Sequence, residues 1–282
     1  MQVLPDPQKM IDTDKLLSRE LLIKRTAQVG LIANGIVYSL VGLMTFLAAF
    51  DFTYWQGGRF KALDWLYQLP LGEGLLGIIT VGLFCYAFWR FMQGLLDTEK
   101  NGKSLMGLAN RGAFMVTGFV YVAFAYYAAK LTFGIRTYRS ELITRETVAG
   151  KLLEQPYGRW MIAAIALGTM GVGLFQMYHA LWGGYRKHVQ ERKLRAENQL
   201  LLIKTGKWGF MGVGVVWIII GYMFLKSALN FNPREAGGDT SAFYYMEYTY
   251  GSPILGLVAV GLLCYGLFNF VRARYEYIKT PD

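Results

Sequence analysis

Six apolar stretches, at roughly residues 28 to 50, 72 to 95, 112 to 134, 160 to 183, 208 to 229 and 253 to 273, alternate with charged connections along the chain. Each runs for about 20 residues, the length at which an α-helix crosses the hydrocarbon core of a bilayer. The pattern predicts six membrane helices and argues against a soluble all-α bundle.

The apolar stretches repeat in pairs. A Gly-x-x-aromatic segment opens the first, third and fifth at Gly35, Gly118 and Gly214, and superposing these brings Tyr38, Tyr121 and Trp217 to one position. Seven residues beyond each glycine stand Gly42, Ala125 and Gly221, about two helical turns away and so on the same face. The second helices align on Gly72, Gly158 and Gly251 at their outer ends and on Gly82, Gly168 and Gly261 near their middles; Cys85-Tyr86 also matches Cys264-Tyr265. In lipid, small residues let helix backbones approach closely. Gly35, Gly42, Gly118, Gly214, Gly221, Gly82, Gly168 and Gly261 are therefore expected at helix packing contacts.

Between the two helices of each pair lies a shorter segment of mixed apolar, aromatic and charged residues, around Ala62, Ala149 and Ala242. It reads as an interfacial helix on the outer leaflet. Each unit crosses the membrane twice, so all three have the same orientation and relate by an axis along the membrane normal. The expected fold class is all-α: a polytopic membrane protein with six transmembrane helices in three tandem helix-pair repeats, in a pseudo-threefold arrangement. The divisions are a tail over 1–27 and repeats over 28–97, 108–184 and 204–276, within one membrane domain.

These residues resemble a known family. The helix starts Gly35-Ile36-Val37-Tyr38 and Gly118-Phe119-Val120-Tyr121, with the segments Pro70-Leu71-Gly72 and Pro156-Tyr157-Gly158, are similar to those of the bacterial membrane proteins grouped as domain of unknown function 1206. The likeness extends from Arg25 to Tyr275. It implies six membrane helices and no assigned activity.

Charge adds orientation and excludes one class of partner. The net charge of +10 collects in the amino-terminal tail, around Lys100 and Lys103, over Arg186 to Arg195, and at Arg272, Arg274 and Lys279. The positive-inside rule then places both termini in the cytoplasm, in a bacterial inner membrane, although Arg136, Arg139, Arg145, Lys151 and Arg159 weigh on the opposite side. No nucleic-acid motif accompanies the charge, and anionic lipid headgroups at the cytoplasmic face are the expected partner. The segment Met1 to Lys24 lacks the apolar core of a cleaved signal peptide.

Candidate chemistry gathers at the inner ends of the second helices. Arg90, Gln93 and Asp97 are spaced three and four apart and share a helical face; their repeat equivalents are Gln176, His179 and Gly183, then Asn269, Arg272 and Glu276. Around an axis these polar residues form a candidate ligand or ion ring, since polar groups at membrane depth mark functional sites. The alternative is that Arg90 and its neighbours snorkel to headgroups. The sequence carries no catalytic motif, no metal-ligand spacing and no cofactor signature; His179 and His188 lie on opposite helix faces, unlike a haem pair. The reading is a membrane component that is not a catalyst, structural or partner-binding. A transporter or channel using the inner polar ring is the alternative, and a membrane-embedded enzyme the second alternative.

Overall fold

The computed structural model describes residues 7–53, 57–97, 102, 104–135, 149–188 and 196–275. Its main helices are α1 (Pro7–Ala49), α2 (Arg59–Tyr67), α3 (Gly72–Leu96), α4 (Leu105–Thr132), α5 (Gly158–Trp182), α6 (Ala196–Asn230), α7 (Asp239–Tyr250) and α8 (Ser252–Tyr275). A short helical segment covers 149–153. Six of these helices, α1, α3, α4, α5, α6 and α8, hold spans long and apolar enough to cross a membrane. The all-α, six-span architecture predicted from the apolar stretches is the one the chain adopts.

Local chemistry sets the helix ends. Ser104 caps α4, its hydroxyl accepting from the Gly107 amide at 3.1 Å. At the other end, α5 stops on Gly183, whose left-handed φ of 69° suits glycine, with its amide donating to the His179 carbonyl. The Pro-x-Gly segments have a steric cause. A Cβ at Gly72 would collide with the Leu66 carbonyl, and one at Gly158 with the Leu152 carbonyl, because each tight turn folds the preceding short helix back onto the start of a span.

The packing order explains the repeat. The second helix of each unit packs against the first helix of the next: α3 on α4, α5 on α6, and α8 back on α1. Within a unit, α1 packs on α3 and α6 on α8. The helices therefore form a ring in the order α1, α3, α4, α5, α6, α8. Among the described residues α4 and α5, the two helices of the second repeat, make no more than glancing contact, so the ring is open along one side.

Glycines account for both the closed edges and the open one. The Gly-x-x-aromatic glycines serve the contacts between repeats: a Cβ on Gly35 would meet the Gly266 carbonyl at 3.0 Å, one on Gly214 the Gly173 carbonyl at 2.9 Å, and one on Gly118 the Phe91 ring at 2.8 Å. Gly42 and Gly221 do the same two turns along the same seam, against the backbones of Leu263 at 2.6 Å and Met170 at 2.8 Å. A second seam lies within repeats. There Gly82 faces Ala33, while Gly261 faces Gly212 at 2.8 Å; one turn away Gly30 and Gly209 meet the Cα atoms of Tyr86 at 2.6 Å and Tyr265 at 2.7 Å.

The second repeat has lost the small partners. Val116 stands where the others have Ala33 and Gly212, and Ala113 where they have Gly30 and Gly209. Gly168, expected on a packing seam like Gly82 and Gly261, instead has nothing within 4 Å of its Cβ position. Val116 is 63% exposed. A branched side chain at that position holds two backbones beyond the distance that small residues permit.

The short helices between the spans, expected on the membrane surface, are instead packed against the bundle. α2 buries Ala62, Leu63 and Leu66, and α7 buries Ala242, Phe243 and Met246, so both are docked over the end of the bundle. Their apolar faces bury against protein at one end of the helix ring.

Candidate functional site

A file of polar side chains runs through the interior from this helical cover. At its top Arg59, the first residue of α2, donates through Nε to Asp239 Oδ2 at 2.6 Å and through Nη2 to Oδ1 at 3.2 Å. Both side chains are about nine-tenths buried. The Gly58 amide donates to the Thr240 hydroxyl beside them at 2.9 Å. Burial opposes the Arg59 charge, yet the Asp239 carboxylate outweighs it and raises the guanidinium well above its ordinary pKa. Rings of Phe124 and Tyr38 lie 5.4 and 5.9 Å from the guanidinium carbon. A cavity of about 20 Å³, room for one water, lies among Tyr38, Arg59, Trp217, Asp239 and Phe243.

Below the ion pair come tyrosines. Tyr38 and Tyr121 both belong to the buried core, and Tyr121 donates to Asn34 Oδ1 at 2.7 Å. Tyr38 packs edge-on against Tyr265 at 4.7 Å between ring centres, and Tyr121 packs at a tilt against Tyr86 at 4.4 Å. These two contacts are equivalent: each joins a Gly-x-x-aromatic ring to the tyrosine after the mid-span cysteine of the preceding repeat. At the third such position, Val172 replaces the tyrosine and is 43% exposed.

The file reaches the other half of the bundle at Arg90, near the C-terminal end of α3. Its Nη2 donates to the Tyr86 hydroxyl at 2.5 Å and its Nη1 to Gln93 Oε1 at 2.9 Å. Asn269, fully buried, donates to the Tyr265 carbonyl at 2.8 Å, and Arg272 lies 5.8 Å from the Phe268 ring. Arg90 is enclosed by Tyr86, Trp89 and Phe114 at 4.9, 4.9 and 5.4 Å, which is not the geometry of an arginine reaching outward to headgroups.

The other candidates from the sequence are placed apart from this group. Asp97 sits in the turn after α3 and accepts from the Gly102 amide at 2.9 Å. Gln176 is half-buried on α5. His179 lies in an aromatic cluster with Phe175 at 4.4 Å and with Phe210 and Tyr178 further off, and its ring packs on Gly184. Glu276 lies outside the described residues.

Arg59 and Asp239 were not singled out by the sequence reading, though a signal existed. Both follow a Gly-Gly pair, at Gly57-Gly58 and Gly237-Gly238, and both precede the repeat's aligned alanine by three residues. The file offers fixed positive charge, tyrosine hydroxyls and amides. Among the described residues no group of three or more His, Cys, Asp or Glu could hold a metal ion.

Comparison with known proteins places this arrangement in a lineage. Uncharacterized protein YxxB of Bacillus subtilis (strain 168) is 27% identical over 261 residues, 91% of this chain and 92% of that protein. No solved structure matches the chain significantly. The family described as Domain of Unknown Function (DUF1206) matches three times, over residues 29–97, 112–183 and 208–276, the same three units that the helix ring displays, and the chain belongs to that family.

Proposed function

We propose that this protein is a non-catalytic component of a bacterial cytoplasmic membrane, with both termini in the cytoplasm, that docks the membrane helix of a partner protein along the open side of its second repeat. The observation that carries the reading is the unfilled seam between α4 and α5. Every other neighbouring pair in the ring packs. Gly168, Gly171 and Gly112 have nothing within 4 Å of their Cβ positions, and only 17% of the span in α5 is buried, against 61% of that in α1. Small residues gain nothing from lipid chains, whereas a second helix backbone can approach them closely. The occupant that fits is an apolar helix with small residues on one face, continuing the seams that close the rest of the ring.

The axial file favours a transporter as the second reading, because polar residues inside a membrane protein line pathways. Against it, the file is filled by side chains bonded to one another, with Arg59 and Asp239 across its outer end.

A photo-reactive residue placed at Val116 or at Leu167, on the two sides of the opening, tests the docking reading in intact cells. The expected result is one and the same protein adduct from both positions, attached within an apolar span of that protein, and none from Ile78, which is 70% exposed on α3. Adducts of lipid alone would sink the reading, and a cross-linked dimer would put a second copy in place of a different partner. Steady ion flux from purified protein in liposomes would favour transport instead.

A further inference from the structure

Six turn residues at the end of the bundle that carries α2 and α7 hold large apolar side chains in the open. Phe52, Ile135 and Phe231 follow the first helix of each repeat, seventeen residues beyond Gly35, Gly118 and Gly214. Leu71, Tyr157 and Tyr250 precede the second helix, next to Gly72, Gly158 and Gly251. All six are more than half exposed, and Leu71 reaches 86%. They form two rings of three at equivalent positions in the repeats.

Turns that face water are built from Gly, Asn, Asp, Ser and Pro. Here the choice is also strained, since Leu71 and Phe231 hold left-handed φ values of 67° and 52°, a region that glycine enters freely and a bulky residue does not. A large apolar side chain is favoured at such a position where hydrocarbon covers it. The rim also continues the exposed apolar flank of the spans, through Leu75 and Ile78 below Leu71 and through Ile254 and Leu257 below Tyr250.

We propose that this rim is the surface that seats the α2 and α7 end of the bundle in the bilayer, with its six side chains in lipid hydrocarbon rather than in water or against a second protein. The charges along the spans support that depth. A hydrocarbon core of about 30 Å, or about 20 helical residues, that starts at the rim ends near Ile32 on α1, Phe91 on α3, Met115 on α4, Met211 on α6 and Phe270 on α8. Arg25, Arg111, Lys207 and Arg272 then lie beyond its far boundary, and Arg90 lies at it. Moving the core about 9 Å toward the far end, enough to put the rim in water, would draw Arg90, Arg111, Lys207 and Arg272 into hydrocarbon. At the near boundary Lys130 and Lys226 are equivalent residues about 8 Å below the rim, within the reach of a lysine that snorkels.

The full chain, with Cys85 and Cys264 replaced by alanine, is spin-labelled in turn at Leu71→Cys, Phe52→Cys and Tyr157→Cys and placed in nanodiscs of phosphatidylcholine and phosphatidylglycerol. All three positions are exposed, so the substitutions cost the fold little. Relaxation of the label by oxygen, which collects in hydrocarbon, is compared with relaxation by a water-soluble nickel chelate. Ile78→Cys, at a position 70% exposed on the flank of α3, is the hydrocarbon reference, and Gly102→Cys, in the connection between α3 and α4, is the water reference. At the three rim positions the ratio of oxygen to nickel relaxation should match that of Ile78→Cys and exceed that of Gly102→Cys several-fold. A ratio at the rim equal to that of Gly102→Cys would put these turns in water and overturn the proposal. Rim labels reached by neither agent would overturn it as well, because protein would then cover them.

Discussion

Arg59 and Asp239 hold the same position in two different repeats, and their side chains are joined at 2.6 Å. Residues related by a rotation touch only near its axis, so the pair marks where the pseudo-threefold axis leaves the bundle. Opposite charges at equivalent positions also solve a problem of symmetry, since three identical arginines there would repel. The third position in the sequence is Glu146, outside the described residues.

The pair should behave as one unit. Arg59→Met leaves Asp239 buried without its partner, and Asp239→Leu does the reverse; each is expected to cost about 3–5 kcal/mol. The double variant removes both charges and should cost far less than the sum. Thermal or denaturant unfolding of the four proteins in detergent measures the coupling. Strict additivity would mean that the two side chains do not depend on each other.

Much of this fold was legible in the chain because it depends on periodic small residues and on span length. Gly35, Gly118 and Gly214 announced three units, and Gly82 and Gly261 announced a second seam. What could not be read was which seam each glycine served, since that depends on how the units close around the axis. The gap in repeat 2 had a trace in Val116, one branched residue opposite Gly168, but only the comparison with Gly82–Ala33 and Gly261–Gly212 gives it meaning. The site was half visible for a similar reason. Arg90 and Gln93 pair along one helix at a spacing of three, whereas Arg59 finds Asp239 across 180 residues.

Enlarging the mid-span glycines should separate the repeats. Gly82→Leu and Gly261→Leu overfill a close contact and should cost about 1–3 kcal/mol each. Gly168→Leu points into open space and is expected within about 0.5 kcal/mol of wild type. Equal losses at all three positions would show that α4 and α5 close on each other as the other pairs do.

Asp64 of α2 gives the helical cover a pH dependence. Burial raises its pKa, partly offset by the Tyr127 hydroxyl that donates to it at 2.7 Å and by Lys61. With the folded value above the unfolded one, the native state holds the proton more tightly. The resulting stability is complete below the unfolded pKa and declines as pH rises through the folded one. Asp64→Asn keeps an acceptor for Tyr127 and removes the titration. Its thermal midpoint should therefore change less than that of wild type between mildly acidic and neutral pH, a difference that scanning fluorimetry across that range would detect.

Orientation can be tested at two exposed positions on opposite sides of the bundle. Gly102 lies in the connection between α3 and α4, and Tyr248 on α7 is 93% exposed. Tyr248 is the better outer probe than Ser241, which is half-buried and packs beside Gly237. With Cys85 and Cys264 replaced by alanine, Tyr248→Cys should react in intact cells with a thiol reagent that cannot cross the membrane, and Gly102→Cys should react only after the cells are opened. The basic residues flanking the inner ends of the spans motivate this direction, since they resist translocation during insertion. Reaction at Gly102 with protection at Tyr248 would invert the molecule, and would move the Arg90 end of the polar file to the outer leaflet.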